Sequence, residues 1–173
     1  MLKVISEEVQ RLDRIVGDLL EFARPSAAGL VAEPLGPIVS DALDAALRDV
    51  GPRIRVVREL DEKLPAVPVD ARLLRQALLN LFQNAVQAMP GDGVLAVRAR
   101  AAGSEVRLEI EDDGEGISPE VMPRIFQPFF STRATGTGLG LALVKRVMDR
   151  HLGRVEVKSE PDRGTSVVLH LPI

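Results

Sequence analysis

Residues 71–89, ARLLRQALLNLFQNAVQAM, constrain the fold more than any other stretch of this chain. Asp70 offers an N-cap ahead of them and Pro90-Gly91 stops them, which predicts one long helix. Leu78, Leu79, Leu81, Phe82, Ala85 and Val86 give that helix apolar bulk. A helix of this kind is held by packing more than by propensity, so something must cover it. The cover is legible as strands. RIRVVREL alternates, GVLAVRARA and SEVRLEIE alternate on either side of a short turn at Ala102-Gly103, and RVEVKSE and TSVVLHLP close the chain as a hairpin around PDRG. IVSDALDAALRDVG has helical spacing ended by Gly51, a short helical piece is expected near SPEVMPRIF with Ser118 as its cap, and a helix is expected over 139–152. The interleaving, with antiparallel final pairs, predicts an α+β fold: a two-layer sandwich with a mixed sheet and helices on one face.

Ahead of this lies a segment of different character. Leu2, Ile5, Val9, Leu12, Val16 and Leu19 are spaced 3, 4, 3, 4 and 3, a heptad seam. Ile15, Leu20 and Phe22 widen the stripe to suit a helix in a bundle, and Arg24-Pro25 ends it. The expected organisation is a helix over 1–24, a linker over 25–31 within the stretch PSAAGLVAEPLGP, and one domain over 32–173.

Composition removes several functions. Basic and acidic residues number 22 and 25, mixed along the chain, and the aromatic residues are five Phe with no Tyr or Trp. Neither a basic surface nor a stacking platform is present, so no nucleic-acid partner is expected. The absence of cysteine excludes disulfides, thiolate metal sites and thiol catalysis. No apolar run approaches the roughly 18 residues that span a bilayer, so this chain carries no membrane segment and reads as cytoplasmic, whether or not its parent protein is anchored.

Three segments place polar groups or glycines where a plain core would not. Asn80 and Asn84 share one face of the long helix, with Gln87 a turn further along it. Asparagine is a poor helix former, and its amide oxygen is a hard, neutral ligand suited to a partly hydrated magnesium ion. Asp112-Asp113-Gly114-Glu115-Gly116-Ile117 follows a strand directly, so Asp112 stands at the strand end, where a carboxylate can accept from an exocyclic amine. Gly136, Gly138 and Gly140 precede a helix whose N-terminal N–H groups suit an anion. That spacing is not the dinucleotide fingerprint, because Leu141 stands where the third glycine would be, and no Gly-Lys-Ser/Thr of a P-loop occurs. Taken singly, each segment also fits a plain reading: a solvated polar stripe, an acidic turn, a loop before a helix.

Their order is more specific than any of them. Asn80–Ala88, Asp112–Ile117, FQPFF at 126–130 and GTGLGL at 136–141 resemble, in sequence, the N, G1, F and G2 boxes of sensor histidine kinases. RLDRIVGDLLEFARP resembles the second helix of their dimerisation and phosphoacceptor domain, and the remainder their catalytic ATP-binding domain, down to RHLGRVEVKSEPDRGTSVVLHLP. The resemblance implies ATP and Mg²⁺ as ligands, with Asn84 on the metal and Asn80 supporting it. It implies that Asp112 binds the adenine amine with Thr165 nearby, while Gly114 and Gly116 let the loop pass under the base. Gly136, Gly138, Leu139 and Gly140 would form the phosphate end of a short lid, and Phe129 and Phe130 its other anchor. Arg133 would touch the γ-phosphate, which makes Asn84 and Arg133 the catalytic pair. A lid as short as STRAT is similar to that of the nitrogen-regulation sensors.

The chain departs from the family pattern at Asp113, commonly Asn, at Glu115, commonly Pro, and at Gln87, where many members have a phosphate-contacting Lys. The phosphoacceptor motif, of the form H-E-x-x-N-P, does not occur, and the only histidines are His151 and His170. His151 is expected to be structural, and His170 to face solvent or fill an edge. The sequence thus reads as a kinase cut just after its acceptor helix, able to bind Mg–ATP but not to phosphorylate itself. For the full-length protein the resemblance implies a homodimer through residues 1–24 and a response-regulator receiver domain as partner. Two other readings use the same fold: an anti-sigma-factor-type serine kinase, which lacks such a helix, and a non-catalytic module acting through helix 1–24.

Overall fold

The computed structural model describes residues 16–17, 29–133 and 136–173. The helix expected over 1–24 lies outside the described residues except for Val16 and Gly17, which are helical. The described elements are β1 Val31–Glu33, α1 Leu35–Leu47, β2 Ile54–Leu60, β3 Val67–Val69, α2 Ala71–Ala88, β4 Gly93–Ala102, β5 Glu105–Asp112, α3 Gly140–Arg150, β6 Arg154–Glu160 and β7 Gly164–Pro172.

Five strands form one sheet in the order β2-β4-β5-β7-β6, and β1 with β3 makes a separate two-stranded ribbon. The β2–β4 pair is parallel and the other pairs of the large sheet are antiparallel, so the sheet is mixed, as the interleaved pattern predicts. Alternation sets its two faces. Leu95, Val97 and Ala99 of β4, Val106, Leu108 and Ile110 of β5, and Val167, Leu169 and Leu171 of β7 are buried in the core with Leu74, Leu78 and Phe82 of α2 and Val144, Val147 and Met148 of α3. α1 packs on α2, completing a helical layer on one side only.

The other face is laced with charge. Arg98 lies between Glu59 at 3.2 Å and Glu111 at 2.5 Å. Arg154 and His170 both bond Glu105 and hold its carboxyl down at about 2. His170 is therefore not solvent-facing and fills no edge. Its strand β7 is internal, between β5 and β6, and only 2% of the residue is exposed. Nδ1 lies 2.7 Å from Glu105 Oε1, and Nε2 is 3.2 Å from Glu156.

α2 begins where the sequence indicates, with the Asp70 carboxylate accepting the Leu73 N–H at 3.1 Å. His151 backs this cap and has the structural role expected of it. Its Nδ1 donates to the Val147 carbonyl at 2.7 Å, leaving Nε2 to accept the Asp70 N–H at 2.9 Å. The short piece after β5 is a 3₁₀ turn, Met122–Arg124. There Ser118 offers its carbonyl, to the amides of Val121 and Met122, rather than a capping side chain to the helix. β1 takes up part of the stretch read as linker, pairing Val31 with Val69.

Candidate functional site

β5 ends on Asp112, directly opposite Thr165 of β7. The Asp112 side chain points inward: the residue is 7% exposed, and its carboxylate accepts the Gly114 N–H at 3.0 Å. Burial pushes its pKa up to about 6, against the hydrogen bonds from the Gly114 and Thr165 amides and the nearby charge of Arg133, which favour the ionised form. A cleft of about 530 Å³ opens at this end of the sheet, lined in part by Asp112, Ser159, Gly164 and Thr165.

The loop from Asp113 to Ile117 is tied on three sides. Asp113 Oδ1 accepts the Val94 N–H at 2.8 Å, fastening the loop to the start of β4. Glu115 donates its N–H to the Ala88 carbonyl at the end of α2 and accepts the Asp162 N–H from the β6–β7 turn, both at 2.9 Å. Proline at 115 would lack that donor, so glutamate fastens the turn here. Gly116 has φ +67°, and a Cβ there would lie 2.0 Å from the Glu160 carbonyl oxygen. Only glycine lets the loop pass this close to the hairpin.

The two ends of the segment expected to form the lid are pinned to each other. Phe129, at φ +64°, donates its N–H to the Gly138 carbonyl at 2.9 Å. Gly138 has φ +69°, and a Cβ there would stand 2.5 Å from the Phe129 carbonyl carbon. Of the two phenylalanines expected to anchor the lid, Phe130 stacks under Arg124 at 4.1 Å, while Phe129 is 69% exposed and so does not pack against the domain. Gly136 donates to the Arg133 carbonyl at 3.1 Å, Leu139 is buried as the N-cap of α3, and Gly140 opens the helix. Ala134 and Thr135 of the lid lie outside the described residues.

α2 supplies the facing wall. Asn80 donates to the Gln76 carbonyl at 3.1 Å, so its oxygen is turned toward α3, where a Cβ at position 140 would lie 2.9 Å from it. Asn84 is half-buried, and its amide has no hydrogen-bond partner among the described residues. One turn further, Gln87 Oε1 accepts from Arg133 at 3.0 Å, and Arg133 also pairs with Glu115 at 3.3 Å. The structure thus joins Asp112, the glycine loop, Arg133 and the α2 amides around one end of the fold. Sequence reading missed Ser159, which bonds three segments here, and gave Glu115 no contact. The one available signal for Ser159 was a hydroxyl in a strand just before the ProAspArgGly turn.

The donor set suits a magnesium ion that keeps most of its ligands from phosphate and water. Asn84 offers one neutral, unengaged oxygen, and no group of three or more His, Cys, Asp or Glu able to cage a cation occurs among the described residues. The acceptor pair Asp112 and Thr165 suits an amine-bearing base, and the start of α3 suits an anion.

Comparison with known proteins gives the chain's family. The profile of the family described as histidine kinase-, DNA gyrase B- and HSP90-like ATPase matches residues 69–173. Sensor histidine kinase ZraS of Escherichia coli K12 is 36% identical over 174 residues, covering 100% of this chain and 37% of ZraS. The sensory histidine kinase/phosphatase NtrB of Salmonella typhimurium is 33% identical, covering 99% of this chain and 51% of NtrB. The chain thus spans less than two thirds of these relatives. Among solved structures, full-length ShkA in complex with AMPPNP superposes with a TM-score of 0.80 at 29% identity, over 98% of this chain and 37% of ShkA. Histidine kinase ThkA in complex with response regulator protein TrrA gives 0.78 at 25% identity, over 98% and 49%. With its mixed sheet, its one helical layer and the family profile running from the α2 cap to the last residue, this chain belongs to the histidine kinase-, DNA gyrase B- and HSP90-like ATPase family.

Proposed function

We propose that this chain is the ATP-binding catalytic domain of a sensor histidine kinase, holding Mg–ATP for phosphoryl transfer to a histidine other than its own two. One observation carries the reading. The buried Asp112 carboxylate accepts the Gly114 N–H of the loop whose Glu115 pairs with Arg133, Arg133 bonds Gln87, and the unengaged Asn84 amide lies one turn back on the same helix. The groups read as base-binding, phosphate-binding and metal-binding therefore lie along one connected wall, which supports the reading.

In this reading Asp112 and Thr165 take the adenine edge, and Gly114 and Gly116 carry the loop beneath it. Arg133 leaves Gln87 and Glu115 to meet the γ-phosphate. Gly136, Gly138, Leu139 and Gly140 bring the start of α3 to the phosphates, and Asn80 steadies that helix start. Asn84 holds the magnesium ion, which when bound neutralises charge on the phosphate oxygens. The chain's contribution to transfer is positioning and electrostatics. His151 and His170 are each 2% exposed and hydrogen-bonded, so neither can meet the γ-phosphate. By likeness to ThkA with its response regulator, the proposed partner of the whole protein is a receiver domain. Dimerisation through residues 1–24 rests on their heptad spacing.

Calorimetric titration of ATP with and without Mg²⁺, on the chain and on Asn84→Ala, tests the reading. Metal-dependent binding weakened about tenfold or more by Asn84→Ala is expected. No binding in either condition would overturn it.

A further inference from the structure

Ser159 sits on β6, where three segments of the site meet. Its Oγ accepts the Ile117 N–H at 2.8 Å, donates to the Gly164 carbonyl at 2.8 Å and lies 2.9 Å from the Thr165 hydroxyl. A serine hydroxyl has one proton and two lone pairs. The Ile117 amide can only donate and the Gly164 carbonyl can only accept, so the Ser159 proton goes to Gly164. Turning that proton to Thr165 would give up the 2.8 Å bond to the carbonyl. The bond between the two hydroxyls therefore runs from Thr165 to Ser159, and the single Thr165 proton is spent there.

The consequence falls on Thr165. With its proton facing Ser159, its oxygen offers only lone pairs to the cleft. The residue opposite it, Asp112, is ionised at neutral pH and also offers only lone pairs. The two together accept from an amine or from a water, whereas at the 6-position an oxo group gives them no proton and a 6-oxopurine could offer them only its ring N1–H. We propose that Ser159 is a positioning residue for base selection: by fixing the polarity of the Thr165 hydroxyl it makes the cleft accept 6-aminopurine nucleotides and reject 6-oxopurine ones. The inference rests on the nucleotide-site reading above and adds to it a residue that acts through Thr165.

The test is the ratio of ATP to inosine triphosphate affinity, titrated with Mg²⁺ on the 173-residue chain and three variants. The unmodified chain is expected to prefer ATP. Ser159→Ala frees the Thr165 proton to donate into the cleft and is expected to lower that preference about tenfold, the worth of one neutral hydrogen bond. Thr165→Val removes the oxygen itself and should lose a similar part of the preference. Ser159→Thr keeps the hydroxyl and should hold the ratio within about twofold of the unmodified chain. A purely structural serine would weaken both nucleotides alike in Ser159→Ala and leave the ratio where it was, and that result overturns the proposal. If Ser159→Ala does not fold, an unchanged ratio in Thr165→Val does the same. If the unmodified chain binds neither nucleotide, the site reading fails and this inference falls with it.

Discussion

Arg133 bridges Gln87 and Glu115, donating to Gln87 Oε1 at 3.0 Å and pairing with Glu115 Oε1 at 3.3 Å. These are two of the three positions where the sequence departs from the common kinase pattern, and a lysine at 87 would repel the guanidinium that glutamine accepts. The pair with Glu115 is largely exposed and contributes little to stability, so a phosphate can displace it. Arg133→Ala should weaken ATP about tenfold and ADP by less than threefold, because the contact argued for is to the γ-phosphate. Glu115→Gln, which releases Arg133, should tighten ATP about twofold, with the gain shrinking as salt is raised. Parallel titrations with the two nucleotides check both.

On the proposed reading, the buried Asp112 should make nucleotide binding pH-dependent. Its pKa of about 6 means that the ionised acceptor is lost as pH falls through 6, and ATP affinity should fall about tenfold per pH unit below that. ATP titrates in the same range, so the measure is the difference between the unmodified chain and Asp112→Asn, which should show only the nucleotide's own dependence. Stability moves the other way. A carboxyl raised in the folded state makes the native state less stable above pH 6 and ceases to do so below its ordinary 3.8. Asp112→Asn should therefore gain about 1–3 kcal/mol at pH 7, with the gain gone by pH 4. Urea unfolding at the two pH values measures it.

Glycine at 116 is required for the backbone itself. Gly116→Ala places a Cβ 2.0 Å from the Glu160 carbonyl oxygen at φ +67°, and the variant should lose about 2–4 kcal/mol with ATP binding abolished or severely weakened. Gly91 is the contrast: it is exposed, with open space around it and no positive φ, and Gly91→Ala should change stability by less than about 0.5 kcal/mol. Chemical denaturation of the pair separates backbone strain from glycine loss in general.

The long elements were legible because period and punctuation agree. Asp70 and Pro90 bracket α2, and the alternation of β4 and β5 extends over enough residues to assign a face. The order of the polar segments pointed to the end of the fold where Asp112, Arg133 and the α2 amides lie. The ribbon of β1 with β3 was not legible, since three residues carry no period. His170 was misplaced because strand order is a tertiary fact: nothing in TSVVLHLP says that β6 will cover it from outside. Ser159 was missed for a related reason, as its partners lie five, six and forty-two residues away. The exposure of Phe129 goes with a positive φ that an aromatic residue seldom takes.

His151 joins the last helix to the start of the helix that carries the site amides, and its removal tests whether that joint is structural alone. Nε2 accepts the Asp70 N–H and Nδ1 donates to Val147, with the ring wholly inside. His151→Ala leaves a buried amide without its acceptor and a cavity of ring size, and should lower stability by about 2–4 kcal/mol. Asp70 still caps Leu73 in that variant, so α2 should keep its start and the folded protein should bind ATP within about threefold of the unmodified chain. A lowered denaturation midpoint with near-normal nucleotide affinity is the expected pair of results. Retained stability with loss of binding would instead assign the imidazole to the nucleotide site.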